Sequence, residues 1–305
     1  MKPITQEKDR LGFIGIGYMG RPIARRLLES GFKLTAYDRN HSKSEELIQY
    51  GGKVAQSVSE FSSSCEVVLS CLPSDEAVLD IYRGRDGVFA SARRGSRVID
   101  LSTVYPQTSL ELSRLGAERG VEVLDVTISG STPAAENGLL TLFGGGNKEC
   151  FDSAESIFRV IAKKYFYLGP SGSGATMKLV VNTLLGIGMQ AIAEAVALGE
   201  KAGLDRNRLL DVLSQTAVVA PAHVGKLQRA MKSDYSPQFP IRLMNKDFGL
   251  ILELAATVGA RMPAVGAAFE INARQSDEGA EQDFSAVILQ MEKRAHLGSN
   301  GKGRT

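Results

Sequence analysis

The sequence contains few of the residues that build disulfide frameworks and metal sites. Its 305 residues include three cysteines, three histidines and no tryptophan. No two cysteines have CxxC spacing, and the histidines lie far apart along the chain. These absences count against a disulfide scaffold and against a Cys/His zinc site, and they predict an intracellular chain that binds no metal.

The sequence also lacks a charge excess and a long uninterrupted apolar run. There are 36 Lys and Arg residues against 34 Asp and Glu residues, a formal net charge of +2, which predicts no surface for nucleic acid. The first ten residues are polar and do not resemble a signal peptide, so we expect a cytoplasmic location. The longest apolar stretch, 179–198, contains Asn182, Gln190 and Glu194, and we interpret it as a buried helix and not as a membrane span.

The first half of the chain alternates short strand-like runs with amphipathic, helix-like segments. One such segment, 19–30, precedes Gly31, which is a typical residue just beyond a helix end. This alternation predicts right-handed βαβ units and a mainly parallel, doubly wound α/β sheet of the Rossmann type. The predicted strands are 11–16, 33–37, 66–72, 97–101, 121–126 and 139–143.

The pattern changes after Gly169. A Gly/Ser-rich turn at 169–174 precedes a long helical run at 175–202, and only helix-length segments follow as far as Glu292. We therefore predict a dinucleotide-binding domain over 1–171 and an all-α domain for substrate binding and oligomerisation over 172–296, joined by a long interdomain helix. The Gly/Lys-rich residues 297–305 are predicted to form a disordered tail.

A glycine-rich motif follows the first predicted strand and opens the first helix. Its residues are Gly15, Ile16, Gly17, Tyr18, Met19 and Gly20. Glycines at these positions permit a tight turn, a close approach to a pyrophosphate and close packing of helix on strand. The second strand ends at Asp38, where a carboxylate can bind the ribose hydroxyls of NAD, whereas the neighbouring Arg39 could instead pair with the 2′-phosphate of NADP. We favour NAD and leave NADP open.

Three further turns follow predicted strands and should lie at the same sheet edge, where ligands of doubly wound sheets bind. They are Leu72-Pro73, Ser102-Thr103 and Ser129-Gly130-Ser131. The last turn combines two hydroxyls with the backbone N–H groups around a glycine, which suits a substrate carboxylate. The alternative is that it is an ordinary Ser/Gly turn.

Lys178 and Asn182 are spaced i, i+4 and should share one face of the long helix. Desolvation and the nearby helix N-terminus would both lower the pKa of a lysine there towards the working range of a general acid. Such a lysine can protonate the alkoxide that forms when a carbonyl accepts hydride, and Asn182 can support the substrate. The alternative is a lysine whose stem packs on the helix while its amine reaches water. Lys246-Asp247, on a later helix, could be a surface pair.

Taken in order, these motifs resemble those of the β-hydroxyacid dehydrogenases, the group of 3-hydroxyisobutyrate dehydrogenase and tartronate semialdehyde reductase. The resemblance runs from Gly12 to about Glu292. It rests on the following series: residues 12–20, Leu72-Pro73, Asp100 to Thr103, Asp125 with Ser129-Gly130, the run 172–174 before Lys178 and Asn182, and Lys246-Asp247.

The resemblance implies an NAD(P)-dependent oxidoreductase that interconverts a small 3-hydroxy acid and its semialdehyde. It implies that Lys178 is the acid/base and that Asn182 supports the substrate. It also implies that Thr103 and Lys246 contact the cofactor side of the site and that Ser129 and Gly130 bind the substrate carboxylate. Members of this group usually form homodimers or homotetramers through their helical domains.

Two departures from the family pattern leave the particular substrate open. The family commonly has Ser-Gly-Gly where this chain has Ser129-Gly130-Ser131, and a small residue followed by Pro where it has Val126-Thr127. Reduction of a more highly charged aldehyde, such as a sulfonated one, is therefore an alternative. A catalytically idle dinucleotide-binding scaffold is a second alternative. Imine reductases resemble this group but lack the lysine, so Lys178 counts against that activity.

Overall fold

The computed structural model describes residues 1–274 and 277–297 of the chain. It divides into two compact units, the first of which is Met1–Leu179 and the second of which begins at Val180. The disordered tail predicted over 297–305 lies, except for Leu297, outside the described residues. The predicted domain boundary after residue 171 stays a prediction.

The first unit is built on one twisted sheet. Within residues 1–179, all of which the structure describes, eight strands lie in the order β3-β2-β1-β4-β5-β6-β7-β8. All neighbouring pairs are parallel except β6 with β7. The strands are β1 (Arg10–Ile14), β2 (Lys33–Tyr37), β3 (Lys53–Val54), β4 (Val67–Ser70), β5 (Arg97–Asp100), β6 (Glu122–Ser129), β7 (Leu140–Gly145) and β8 (Ala162–Gly169).

Helices pack on the sheet because its strands are apolar on both faces, as in β4, whose four residues are all buried. The helices are α1 (Gly20–Glu29), α2 (His41–Glu45), α3 (Val58–Ser64), α4 (Asp75–Tyr82), α5 (Val88–Ser91), α6 (Pro106–Glu118), α7 (Thr132–Glu136), α8 (Lys148–Ser153) and α9 (Glu155–Ile161), with a 3-10 turn at Ile48–Tyr50. Two apolar cores result, one of which contains Phe13 and Phe158 and the other Phe61 and Tyr82.

One long helix, α10 (Ser173–Lys201), begins in the first unit. The elements described after it are helices and a 3-10 turn, apart from one isolated bridge between Pro240 and Asp283. Those helices are α11 (Arg206–Ser214), α12 (Pro221–Ala230), α13 (Ile241–Val258), α14 (Pro263–Ala273), α15 (Asp277–Ala280) and α16 (Val287–Arg294), with a 3-10 turn at Phe284–Ala286. The predicted class, a parallel-dominated Rossmann-like sheet followed by an all-α part, is confirmed.

The prediction that the apolar stretch 179–198 is buried is only partly right. The side chains of Val180, Leu184 and Leu198 are 51%, 73% and 72% exposed, because the helix places them on one open stripe. By length and composition α10 could cross a membrane, but core helices of water-soluble proteins pass the same test. The absence of a membrane partner and the cytoplasmic location stay predictions.

Candidate active site

The glycine motif forms the turn between β1 and α1 as predicted. Gly15 has a φ of +89°, and a Cβ there would collide with the carbonyl oxygen of Cys71. A Cβ on Gly20 would collide with the carbonyl of Gly15, so the helix start and the turn are in backbone contact. A Cβ on Gly17 would meet no atom within 4 Å. The turn is therefore closed towards the protein and open at Gly17, which fits a pyrophosphate approaching from that side.

Asp38 lies beside this turn, at the end of β2. One oxygen of its carboxylate, Oδ2, accepts the N–H of Ile16 at 2.8 Å, and Oδ1 accepts the N–H of Asn40 at 2.9 Å. Because a carboxylate has about four acceptor positions, ribose hydroxyls can still bind to it. Arg39 is exposed next to it. The structure thus places the predicted ribose-binding acid against the predicted phosphate turn.

Hydrogen bonds between buried polar groups connect the turns after β4 and β5. The N–H of Leu72 donates to Ser102 Oγ at 2.8 Å, and that hydroxyl donates to Asp100 at 2.6 Å. Ser70, which receives a hydrogen bond from Tyr82, also donates to Asp100 at 2.7 Å. Burial raises the pKa of Asp100 above its ordinary value, although the serine hydrogen bonds oppose that rise.

A second carboxylate joins the same two turns nearer the solvent. Asp75, the first residue of α4, accepts the N–H of Tyr105 and the hydroxyl of Thr108, both at 2.7 Å. Of the predicted cofactor contacts in these two turns, Leu72 and Thr103 are half-buried and Pro73 is exposed. Neither acid was predicted to organise the site, although Asp100 lies in the motif at residues 100–103.

The predicted substrate turn lies at the end of β6. Ser129 is half-buried, whereas Gly130 and Ser131 are exposed. Gly130 has a φ of +142°, and a Cβ there would crowd the side chains of Leu140 and Ala134, so a glycine is required. Ser131 precedes α7, and its side chain makes no capping hydrogen bond to that helix. This hydroxyl is thus not used to cap α7.

Lys178 and Asn182 lie one turn apart on α10, as predicted from their spacing. The lysine is half-buried in the second turn of the helix, whereas Asn182 is fully buried. Asn182 belongs to the second unit, where its Nδ2 donates to Asp247 Oδ2 at 2.5 Å. Its Oδ1 has no hydrogen-bond partner among the described residues.

The interpretation of Lys246-Asp247 as a surface pair is wrong. Asp247 is 1% exposed, because the apolar face of α13 turns it inward, and the half-buried Lys246 forms an ion pair with it at 3.0 Å. Asp247 therefore connects Lys246 to Asn182. A lysine–acid pair inside an apolar helix is a usable signal of a buried site, but the partner Asn182 is remote in the chain.

No metal site emerges from residues 1–274 and 277–297, which contain no cluster of three or more His, Cys, Asp or Glu side chains suited to one. His223 is buried, and its Nε2 lies 2.9 Å from the carbonyl oxygen of Leu185, so its role is structural. The described residues of the candidate site carry hydroxyl, amide, amine and carboxylate groups.

Two family models match the chain. The NAD binding domain of 6-phosphogluconate dehydrogenase matches residues 10–169. The domain described as the NAD-binding domain of NADP-dependent 3-hydroxyisobutyrate dehydrogenase matches residues 172–291. Together the two models cover the glycine turn, the turns along the sheet edge and all of α10.

Individual proteins are similar over nearly the whole chain. Glyoxylate/succinic semialdehyde reductase 1 of Arabidopsis thaliana is 36% identical over 279 residues, which are 91% of this chain and 96% of the relative. A 3-hydroxyisobutyrate dehydrogenase structure from Salmonella typhimurium has a TM-score of 0.85 at 26% identity, covering 92% of this chain and 99% of that one. Psf3 in complex with NADP+ and 2-OPP has a TM-score of 0.83 at 25% identity with the same coverage.

Proposed function

Because this chain belongs to the 3-hydroxyisobutyrate dehydrogenase family of NAD(P)-dependent oxidoreductases, we propose that Lys178 is its general acid/base in interconverting a short 3-hydroxy acid and its semialdehyde. The observation that carries this proposal is the position of Lys178. It is half-buried and precedes the fully buried Asn182 by one turn on the same helix face.

The residues of the glycine turn, with Asp38 and the turns at Leu72 and Thr103, would hold the dinucleotide. When bound, the nicotinamide supplies or accepts hydride at the substrate carbon. In the direction of reduction, negative charge develops on the carbonyl oxygen, and the ammonium group of Lys178 donates a proton to it. In the direction of oxidation, the neutral amine accepts the hydroxyl proton.

The turn at residues 129–131 is proposed to bind the substrate carboxylate through its hydroxyl and N–H groups. Asn182 is proposed to support the substrate and Lys246 to contact the cofactor. The printed names of similar proteins, a glyoxylate/succinic semialdehyde reductase and a 3-hydroxyisobutyrate dehydrogenase, support a short acid with an aldehyde or hydroxyl group.

The test follows NADH and NADPH absorbance with C2 to C4 semialdehydes, the matching hydroxy acids and a sulfonated aldehyde. Lys178→Ala should lower kcat by about 10²–10⁴-fold, because one proton-transfer group contributes that much, while the cofactor Kd stays within about twofold. Unchanged turnover of Lys178→Ala would contradict the mechanism. A preference for the sulfonated aldehyde would contradict the substrate class.

For the cofactor we propose NAD over NADP, since the Asp38 carboxylate would repel a 2′-phosphate. Because the similar Psf3 structure contains NADP+, comparing the two cofactors is a direct test of this proposal. We expect a higher kcat/KM with NADH than with NADPH, and we expect Asp38→Asn to reduce that preference. A higher kcat/KM with NADPH in the wild type would overturn the proposal.

We propose further that the protein forms homodimers or homotetramers through the open stripe of α10. The six stripe positions, all apolar, are Val180, Leu184, Ile187, Ala191, Ala195 and Leu198. They extend for about 27 Å along the helix, and the same stripe on a second copy offers a matching surface in a two-fold pair. Leu184→Glu should shift the mass in light scattering towards the monomer. Val218→Glu, at an 88% exposed valine outside α10, should leave the mass unchanged.

A further inference from the structure

The start of α10 is attached to β6 by a buried carboxylate. Asp125 is 3% exposed, and its two oxygens accept the N–H groups of Gly172 and Ala175, each at 2.9 Å. These N–H groups belong to the helix start, which has no backbone acceptors of its own. Asp125 therefore fixes the position of the turn directly before Lys178.

A second bond from the same strand reaches the same turn. The hydroxyl of Thr127, which is buried, donates to the carbonyl oxygen of Gly174 at 2.8 Å. In an α-helix the carbonyl of residue 174 also accepts the N–H of residue 178. The hydroxyl of Thr127 and the N–H of Lys178 therefore share one acceptor, the carbonyl oxygen of Gly174.

The strand and the helix start are also in direct backbone contact. A Cβ on Gly174 would collide with the carbonyl oxygens of Asp125 and Phe143, so only glycine allows this approach. Hydrogen bonds on both sides of such a contact leave the helix start little freedom to shift along the strand.

From this geometry we infer that Asp125 and Thr127 are positioning residues, which hold Lys178 at a set place relative to the substrate turn. Strand β6 ends at Ser129, about 13 Å along the strand from Asp125. One rigid strand thus carries both the anchor of the helix and the start of the turn proposed to bind the carboxylate. The inference rests on the proposed function of Lys178.

The identity of the two residues supports a role beyond stability. Burial raises the pKa of Asp125 to about 6 against the opposing effect of its backbone hydrogen bonds, and the nearby Asp100 carboxylate adds to the rise. An ionised carboxylate at this place therefore costs folding energy. The bond from Thr127 to Gly174 depends on the threonine hydroxyl, which a valine of the same shape lacks.

The first test compares Thr127→Val, which removes the hydroxyl and keeps the shape, with Thr127→Ser, which keeps the hydroxyl. We expect Thr127→Val to lower kcat about 5–20-fold, because misplacing a reacting group by a fraction of an ångström reduces the rate steeply. KM for the semialdehyde and Kd for the cofactor should stay within about twofold, and Thr127→Ser should recover most of kcat.

The second test uses Asp125→Asn, in which an amide NH₂ replaces one acceptor and faces an N–H donor. We expect a loss in kcat of about 10²-fold, again with nearly unchanged cofactor Kd. Ser109→Ala serves as a control, since it removes a buried hydroxyl of α6 that has no partner among the described residues. If Asp125→Asn does not fold, the Thr127 pair alone decides.

Lys178→Ala is measured in the same series to separate the two proposals. If it abolishes turnover while Thr127→Val and Asp125→Asn keep kcat within twofold, the positioning role is wrong and the general acid stands. If the variants raise KM or the cofactor Kd and leave kcat unchanged, the positioning role is also wrong. If Lys178→Ala retains kcat, the proposed function fails, and this inference fails with it.

Discussion

Buried and half-buried carboxylates have different partners in the two units. In the first unit, Asp38 and Asp125 accept backbone N–H groups, and Asp100 accepts mainly serine hydroxyls. In the second unit, Asp247 is bound by the side chains of Asn182 and Lys246. Asp283 accepts the N–H groups of Gln238 and Phe239 and also pairs with the buried Lys226 at 2.6 Å. The carboxylates of the first unit are held by uncharged N–H and hydroxyl donors that fix turns of the backbone, whereas each of those in the second unit is also paired with a lysine.

This difference predicts where each unit is sensitive to mutation. A turn held by a carboxylate depends on backbone geometry, so changes at its glycines should matter most. A buried ion pair depends on both partners, because removing one leaves an uncompensated charge in a poorly hydrated place. Three measurements of the free energy of unfolding test this contrast.

The largest effect is expected for Lys226→Met in the second unit. Asp283, which is fully buried, would lose its cation, and breaking a buried pair in this way costs about 3–5 kcal/mol. Lys148→Met provides the matched control, since its partner Asp152 is exposed and the loss there should stay below about 1 kcal/mol. Urea denaturation measures both, and equal losses would contradict the contrast.

An intermediate effect is expected for Gly20→Ala in the first unit. The added methyl collides with the carbonyl of Gly15, and such overpacking costs about 1–3 kcal/mol. Gly17→Ala meets no protein atom, so its stability should change by less than about 0.5 kcal/mol. Its Kd for NADH, measured by fluorescence titration, should nevertheless rise, because the methyl faces the proposed pyrophosphate position. An unchanged Kd would mean that the phosphates lie elsewhere.

The smallest effect concerns a pair of acids in the second unit. Burial, and then the neighbouring Glu292 carboxylate, raise the pKa of Glu200 to about 7 although Arg206 opposes the rise. A raised carboxyl pKa contributes stability that is complete below the unfolded value and is lost as the pH rises through about 7. The urea concentration at the unfolding midpoint should therefore decrease as the pH is raised from 5 to 8. In Glu200→Gln the decrease should be smaller. Glu253→Gln, at an exposed position, should keep the wild-type pH dependence.

The sequence predicted the first unit in more detail than the second. Six of the strands were found within a few residues because short runs of apolar residues between turn signals mark them directly. Two strands were not predicted. Strand β3 has only two residues, and β8 follows a short helix without a turn signal. The glycine turn and the position of Asp38 beside it were predicted because the order of strand, glycines, helix and acid is local in the chain, while their binding roles stay predictions.

The partners of side chains remote in sequence could not be predicted. The bond from Asn182 to Asp247 joins α10 to α13, and nothing in the pattern of either helix specifies which face of one packs on the other. The open stripe of α10 was taken as buried for a similar reason, because an apolar helix pattern does not state which of its faces is covered. Lys178 and Asn182 lie one turn apart on α10, as their spacing predicted, while the role of Lys178 stays a prediction.

The unbroken hydrogen-bond ladder of α10 sets a limit on how this enzyme can adapt to different substrates. Lys178 and Asn182 are held about 6 Å apart along the helix axis, and no change short of breaking the helix alters that spacing. Changes in substrate specificity must then arise in segments whose side chains and conformation can change without breaking a helix. The exposed residues 130 and 131, at the end of a strand and before a five-residue helix, are such a segment, so we expect substrate choice to be decided there.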